Sequence, residues 1–282
     1  LFLTIFIAVL YAYREKFTSW IFILVPLEFL WVNIHIYFPV GIAVIGLFFI
    51  DLLIASRRNL YSRYIGIFAL TLLLSILITF INPNVIKGAL YPYAVFQNYG
   101  YSIQENQNIF FLWNYSHNTT ILFFAISTVL LFSSLIFAFK KTYLVDWLIS
   151  VFFSVLAITA IRNFPLFVFA VFIPFAKSLS FVTRGIIEYA KTLPFYKSKP
   201  ELIKAIVLGG ILIIIILQIK QVVKIKPIGF GVEKGADNAV NFFIKNNLTG
   251  PIFNNFDIGS YLEYRLYPKE KVFVDGRPEA YP

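Results

Sequence analysis

The chain has no cysteine and no methionine, and it has few charges. Without a thiol there is no disulfide framework and no thiolate nucleophile or metal ligand. Without a methionine, Leu1 is not a natural start, and the chain is read as a fragment whose first part is missing. Charged residues are 13% of the 282, about half the ~25% usual in soluble domains, which excludes a soluble globule of ordinary composition. There is also no phosphate-binding glycine loop, no dinucleotide fingerprint and no Cys/His metal cluster, which removes the signals of those three chemistries.

What is present is apolar: 59% hydrophobic residues and 19% aromatics. Apolar runs near 18 residues long mark a membrane protein with several spans. Residues 1–12 are apolar, but about 18 Å of helix is too short for a ~30 Å hydrocarbon core. They lack a basic leader and a cleavage site, so they are read as the remnant of a cut transmembrane helix, not a signal peptide. Seven further apolar segments follow at 20–32, 40–55, 64–81, 119–139, 143–161, 164–182 and 202–219. The first is short. Trp31, Asn33 and His35 interrupt it before Pro39 and Gly41 open the next, as expected of a helix whose outer end dips into a polar cavity. The expected fold is an all-α membrane helix bundle over 1–224, with about seven complete spans plus the cut helix. A small, truncated soluble α/β segment follows over 225–282.

The net charge of +10 admits a nucleic-acid partner, but its distribution points to a membrane. If Arg14 and Lys16 are cytoplasmic, alternation of the spans puts Arg57, Arg58, Arg63, Lys140, Lys141, Arg184, Lys191, Lys197, Lys199 and Lys204 inside too. Only Lys87 and Arg162 fall in the outer connections. Twelve against two is a strong positive-inside bias. The expected location is the bacterial cytoplasmic membrane, with no nucleic-acid partner and with the C-terminal segment extracytoplasmic.

That orientation gathers the unusual polar residues on the outer side. Residues 82–118 form a long connection opened by Asn82-Pro83, too long for a plain linker. It holds Tyr91, Tyr93, Tyr99, Tyr101, Phe110, Phe111 and Trp113, too aromatic for disorder, so short interfacial helices are expected there. In the tail, 236–247 reads as a helix, 251–254 as a strand, 258–266 as a helix capped by Asp257, and 271–274 as a strand. This alternation begins an open α/β layer.

The tail, with "GPIFN" (250–254), "GSYL" (259–262) and "VFVDGR" (272–277), resembles the extracytoplasmic tail of a group of bacterial membrane proteins related to the C-type glycosyltransferase superfamily (GT-C). "LWVNIH" (30–35), "NP" (82–83), "IQE" (103–105) and "IRNFPLF" (161–167) extend the resemblance through the membrane part in the same order. It implies transfer of a sugar from a polyprenyl-phosphate donor to an acceptor at the outer face of the membrane. It also implies a catalytic carboxylate in a first outer loop that precedes this fragment.

Such a transfer needs a carboxylate to activate a hydroxyl or hold a metal, cations for the leaving phosphate, and an apolar groove for the lipid. Glu105 is the only carboxylate of the long outer loop and the candidate base or metal ligand; otherwise it is a solvated loop residue. Arg162 stands in a very short outer turn and is a candidate phosphate clamp, or a headgroup contact. Asn163 is the expected N-cap of the next helix, with Pro165 in its first turn. His35 and Asn33 are candidates for sugar or metal binding, or are structural.

Glu28 lies within an apolar run, where ionisable groups are functional candidates. It shares a helix face with His35 but stands about 10 Å away along the axis, so it lines the same cavity or pairs with a neighbouring helix. Asp275 and Arg277 follow a strand, at the end where open α/β sheets bind ligands, or form a turn that docks the tail. A divalent metal ion is the candidate cofactor, and the bilayer and a lipid-linked sugar are the expected partners. A transporter is disfavoured by the lack of an internal repeat, and a non-catalytic assembly protein is the remaining alternative.

Overall fold

The structure is a computed structural model that describes residues 1–16, 19–56, 63–94, 104–192, 194, 209, 212, 213, 216, 220 and 236–276. Contacts divide the chain into two compact units, Leu1–Ala190 and Lys191–Pro282. The expected boundary at 224/225 and most of the seventh apolar segment, 202–219, lie outside the described residues.

Among the described residues the first unit is built of helices: α1 Phe2–Lys16, α2 Leu24–Ile34, α3 Phe38–Ala55, α4 Arg63–Ile78, α5 Val85–Ala94, α6 Ile109–Ser116, α7 Thr119–Phe137, α8 Leu144–Thr159 and α9 Phe164–Thr192. Single turns of 3-10 helix at Ser19–Ile23, Gln104–Asn106, Phe139–Lys141 and Ile161–Asn163 join them. Local chemistry sets the ends. Asn108 accepts the amide of Phe111 at 2.9 Å and Asn118 that of Thr120 at 2.9 Å, each satisfying a first-turn donor that has no helical partner. Asn82 folds the Asn-Pro turn back, donating to the carbonyls of Thr79 and Val85 and accepting from Asn84 N. The long 82–118 connection does contain short helices, α5 and α6.

Three helical stretches are long and apolar enough to cross a membrane: Phe38–Ala55, Thr119–Phe137 and Ile161–Thr192. The shorter apolar helices are Trp20–Ile34, Arg63–Ile78 and Leu144–Thr159. On α7, Leu122, Phe123, Ile126, Val129, Leu130, Ile136 and Phe137 are all exposed. This face is far too apolar to meet water and has the character of a bilayer-facing surface. The chain is therefore a membrane-type helical bundle.

Its core joins α1, α2, α3, α7, α8 and α9 through Phe6, Leu10, Leu24, Ile45, Phe48, Leu135, Ile149, Phe153 and Ala170, each at most 1% exposed. Small residues let helices approach where lipid offers no hydrophobic drive. Gly41 of α3 is such a place: a Cβ there would lie 2.5 Å from Glu28 Oε2 and 2.9 Å from the Phe6 ring.

In the second unit, α10 Ala236–Lys245 packs on α11 Phe256–Leu266 through Val240, Leu262 and Leu266. The strands expected at 251–254 and 271–274 do not form among the described residues, where a single isolated parallel bridge joins Ile252 to Val272. The Asn254 side chain reinforces it, donating to Val274 O at 2.7 Å and accepting from Phe273 N at 2.9 Å. The cap of α11 is Asn255, whose Oδ1 accepts from Ile258 N. The expected cap, Asp257, falls inside the first turn, where its charge still meets the positive end of the helix dipole.

Candidate functional site

Three turns meet at one end of the bundle. Between α2 and α3 the chain reverses within a few residues. His35 is extended (φ −154°, ψ 138°) and its amide bonds Trp31 O, while Pro39 restarts the helix at once, its fixed φ suiting a first turn. The Tyr37 amide donates to His35 Nδ1 at 3.2 Å and the two rings stack with centroids 5.4 Å apart.

Between α8 and α9 the turn is Ile161–Asn163. Asn163 is not the side-chain cap that the sequence led us to expect. Its Nδ2 donates to Leu156 O and its Oδ1 accepts from Tyr37 OH, both at 2.8 Å, so it ties the two turns together. The third turn is Gln104–Asn106, held by Ile161 N to Gln107 O at 3.3 Å.

Arg162 stands where the turns meet. Its Nη1 donates to Asn106 Oδ1 at 2.7 Å, and its guanidinium lies 5.4 Å from the centre of the Tyr37 ring. Among the described residues it makes no ion pair with a carboxylate. Partial burial, helped by the Arg162 charge, lowers the His35 pKa below the ordinary histidine value. His35 therefore favours its neutral form, with Nδ1 accepting and Nε2 carrying the hydrogen. Burial raises the Tyr37 hydroxyl, Arg162 opposes that rise, and the charge of Glu105 adds to it. His35 and Arg162, far apart in sequence, thus gather around Tyr37, and Asn106 ties the turn that carries Glu105 to Arg162. Tyr37, Asn106 and the tie made by Asn163 were missed. Only the placement of Tyr37 between His35 and Pro39 hinted at the first.

The other named residues stand elsewhere. Asn33 donates to Phe29 O at 2.8 Å and Ile81 O at 3.1 Å, so it fastens α2 to the end of α4. Glu28 is fully buried against Gly41, Phe6 and Trp31, and neither carboxylate oxygen has a partner among the described residues. Asp275 belongs to the second unit and is fully buried. Gly259 of α11 lies against the backbone at Val274–Asp275, where a Cβ would collide, and Gly276 N donates to Ser260 Oγ at 3.1 Å. These contacts make the "GSYL" and "VFVDG" pieces two sides of one packed turn. Arg277 lies outside the described residues. Among the described residues no three His, Asp or Glu side chains come together as a metal site.

Sequence reasoning missed a second polar cluster altogether. The Nε of Arg14 on α1 pairs with Asp51 Oδ2 on α3 at 2.6 Å, and Asp51 Oδ1 accepts from Val145 N at 3.3 Å. Asp146 on α8 accepts from Tyr11 OH at 2.5 Å and Tyr143 N at 2.7 Å. Lys177 on α9 pairs with Glu15 at 3.0 Å and stands 4.5 Å from the Tyr11 ring centre. The signal was available: Asp51, Asp146 and Lys177 interrupt apolar runs as Glu28 does, and the same rule flags them.

No family model matches the chain, and neither a curated protein nor a solved structure matches it.

Proposed function

We propose that the chain is a membrane glycosyltransferase-like protein that transfers a sugar from a polyprenyl-phosphate-linked donor to an acceptor at the outer face of the bacterial cytoplasmic membrane. One observation carries this reading: Arg162, an exposed cation whose partners among the described residues are neutral, faces His35 and Tyr37 beside the Glu105 loop. A guanidinium anchored by an amide and a ring keeps donors for a phosphate. As the sugar–phosphate bond breaks, the leaving phosphate gains charge against Arg162. Glu105 takes the proton of the attacking hydroxyl. The charge bias of the loops supports the outer face for this end of the bundle and for the C-terminal α/β segment.

In the full-length protein, Arg162→Ala weakens binding of a prenyl phosphate. Glu105→Gln leaves binding in place and slows transfer from a prenyl-phosphate sugar. Wild-type turnover in both variants would remove the reading. A non-catalytic assembly protein then stands. It is favoured by the exposed Phe253 and Phe273 rings of the second unit, 4.8 Å apart.

A further inference from the structure

α9 is longer than a single crossing needs. Its 29 residues make about 43 Å of helix against a ~30 Å hydrocarbon core. Counted from Phe164, the core is crossed after about 20 residues, near Arg184. α7, with 19 residues, reaches the same depth near Phe137. The buried residues of α9 stop at Ser178, where Ser178 Oγ meets Ser134 Oγ of α7 at 2.7 Å. Beyond that crossing lies an apolar groove of about 360 Å³, lined by Phe137 of α7 and by Phe181, Val182, Gly185, Ile186 and Tyr189 of α9. A side chain at Gly185 would meet nothing within 4 Å, so the glycine is the open floor of the groove.

Cations follow or adjoin the lining residues in sequence, at the depth where the helix rise puts the headgroups. Lys140 and Lys141 follow Phe137 directly in the 3-10 turn, both exposed. Arg184 is exposed and adjoins Gly185 on α9, where Glu188 is the sole carboxylate of the helix. A groove for a hydrocarbon chain beside three cations fits a molecule with an apolar tail and an anionic head. We propose that it is a binding site for an anionic phospholipid of the bilayer, with an acyl chain in the groove and the phosphate at Lys140, Lys141 and Arg184. A zwitterionic lipid fills the groove equally well, but its ammonium group adds a fourth cation to the three. Selection is therefore by the head and occupancy by the tail. This site stands apart from the Arg162 end and does not depend on the proposed transfer reaction.

The test uses the purified full chain in detergent, with bound lipid counted by native mass spectrometry during titration with phosphatidylglycerol or phosphatidylcholine. Wild type holds phosphatidylglycerol in preference. Gly185→Trp fills the groove and loses both lipids. Should circular dichroism show that variant to have lost helix, Gly185→Leu is read in its place. Lys140→Gln, Lys141→Gln and Arg184→Gln combined keep lipid but lose the preference, at about fivefold per cation. Soluble glycerophosphoglycerol, which has the head without the tail, does not compete. Equal binding of the two lipids by wild type, wild-type lipid retention when the groove is filled, or competition by the soluble headgroup would each overturn the proposal.

Discussion

The two polar clusters of the bundle hold similar residues and differ in how their charges are answered. In one, Asp51 and Asp146 are almost fully buried. Asp51 meets a guanidinium and a backbone amide; Asp146 meets a phenol and a backbone amide. In the other, Arg162 is exposed and, among the described residues, leans on an amide oxygen and a ring. A buried charge is tolerated only when it is paired and hydrogen-bonded, so the first cluster is closed and holds α1, α3 and α8 together. The second keeps at the surface a cation with no ion pair among the described residues, where solvating it costs little and an incoming anion gains most. The pairing of a charge, more than its presence, separates a fastening from a binding site.

The largest expected effect attacks the closed cluster. Arg14→Leu leaves Asp51 buried without its cation and should cost about 3–5 kcal/mol of stability, read by unfolding in mixed micelles. Arg162→Ala should leave stability nearly unchanged while weakening prenyl-phosphate binding by about 1.5–3 kcal/mol, the scale of a charged hydrogen bond; calorimetry reads it. If the Arg162 variant is destabilised as much as the Arg14 variant, the distinction between the clusters fails.

Glu28 sharpens the comparison because it belongs to neither cluster: it is buried and, among the described residues, unanswered. Glu28→Gln should therefore change stability by less than about 1 kcal/mol, in contrast to a buried ion pair. A loss as large as that of Arg14→Leu would reveal a partner that the unanswered carboxylate is expected to lack.

The smallest effect is a titration. The chain has only two histidines, so His117→Gln isolates the His35 signal in an NMR titration. His35 should titrate below the ordinary histidine value, and Arg162→Ala should move it upward, because burial and the guanidinium both disfavour its charged form. Folded His35 binds protons less readily than unfolded His35, so its contribution to stability is full above the ordinary histidine value. It is lost as pH falls from there through the folded value.

Much of the fold was legible because hydrophobic length and helix period are local properties. α3, α7, α8 and α9 begin within two residues of the apolar segments at 40–55, 119–139, 143–161 and 164–182. Caps were less legible, since several polar side chains compete for one helix end: Asn255 took the place expected of Asp257, and Asn163 turned from α9 to Tyr37. Of the candidate site, the sequence marked Arg162 and His35, because a charge or an imidazole beside an apolar run is conspicuous, and Glu105, because it is the only carboxylate of the long outer loop.

The sequence by itself determined the membrane character of this protein, the places where helices start and stop, and which ionisable residues are out of place. Only the tertiary structure decided which of those residues are answered. Asp51 lies 37 positions from Arg14, and Asn106 lies 56 from Arg162, and no spacing rule within one helix reaches so far. Pairing of that kind depends on which faces of separate helices come together. Here the faces meet through the close approach at Gly41, the Ser134–Ser178 crossing and the tight turns at Tyr37 and Ile161–Asn163. Packing is a property of the assembled bundle, so among the described residues it left Glu28 without a partner while giving one to Asp51, although both are carboxylates that interrupt apolar runs.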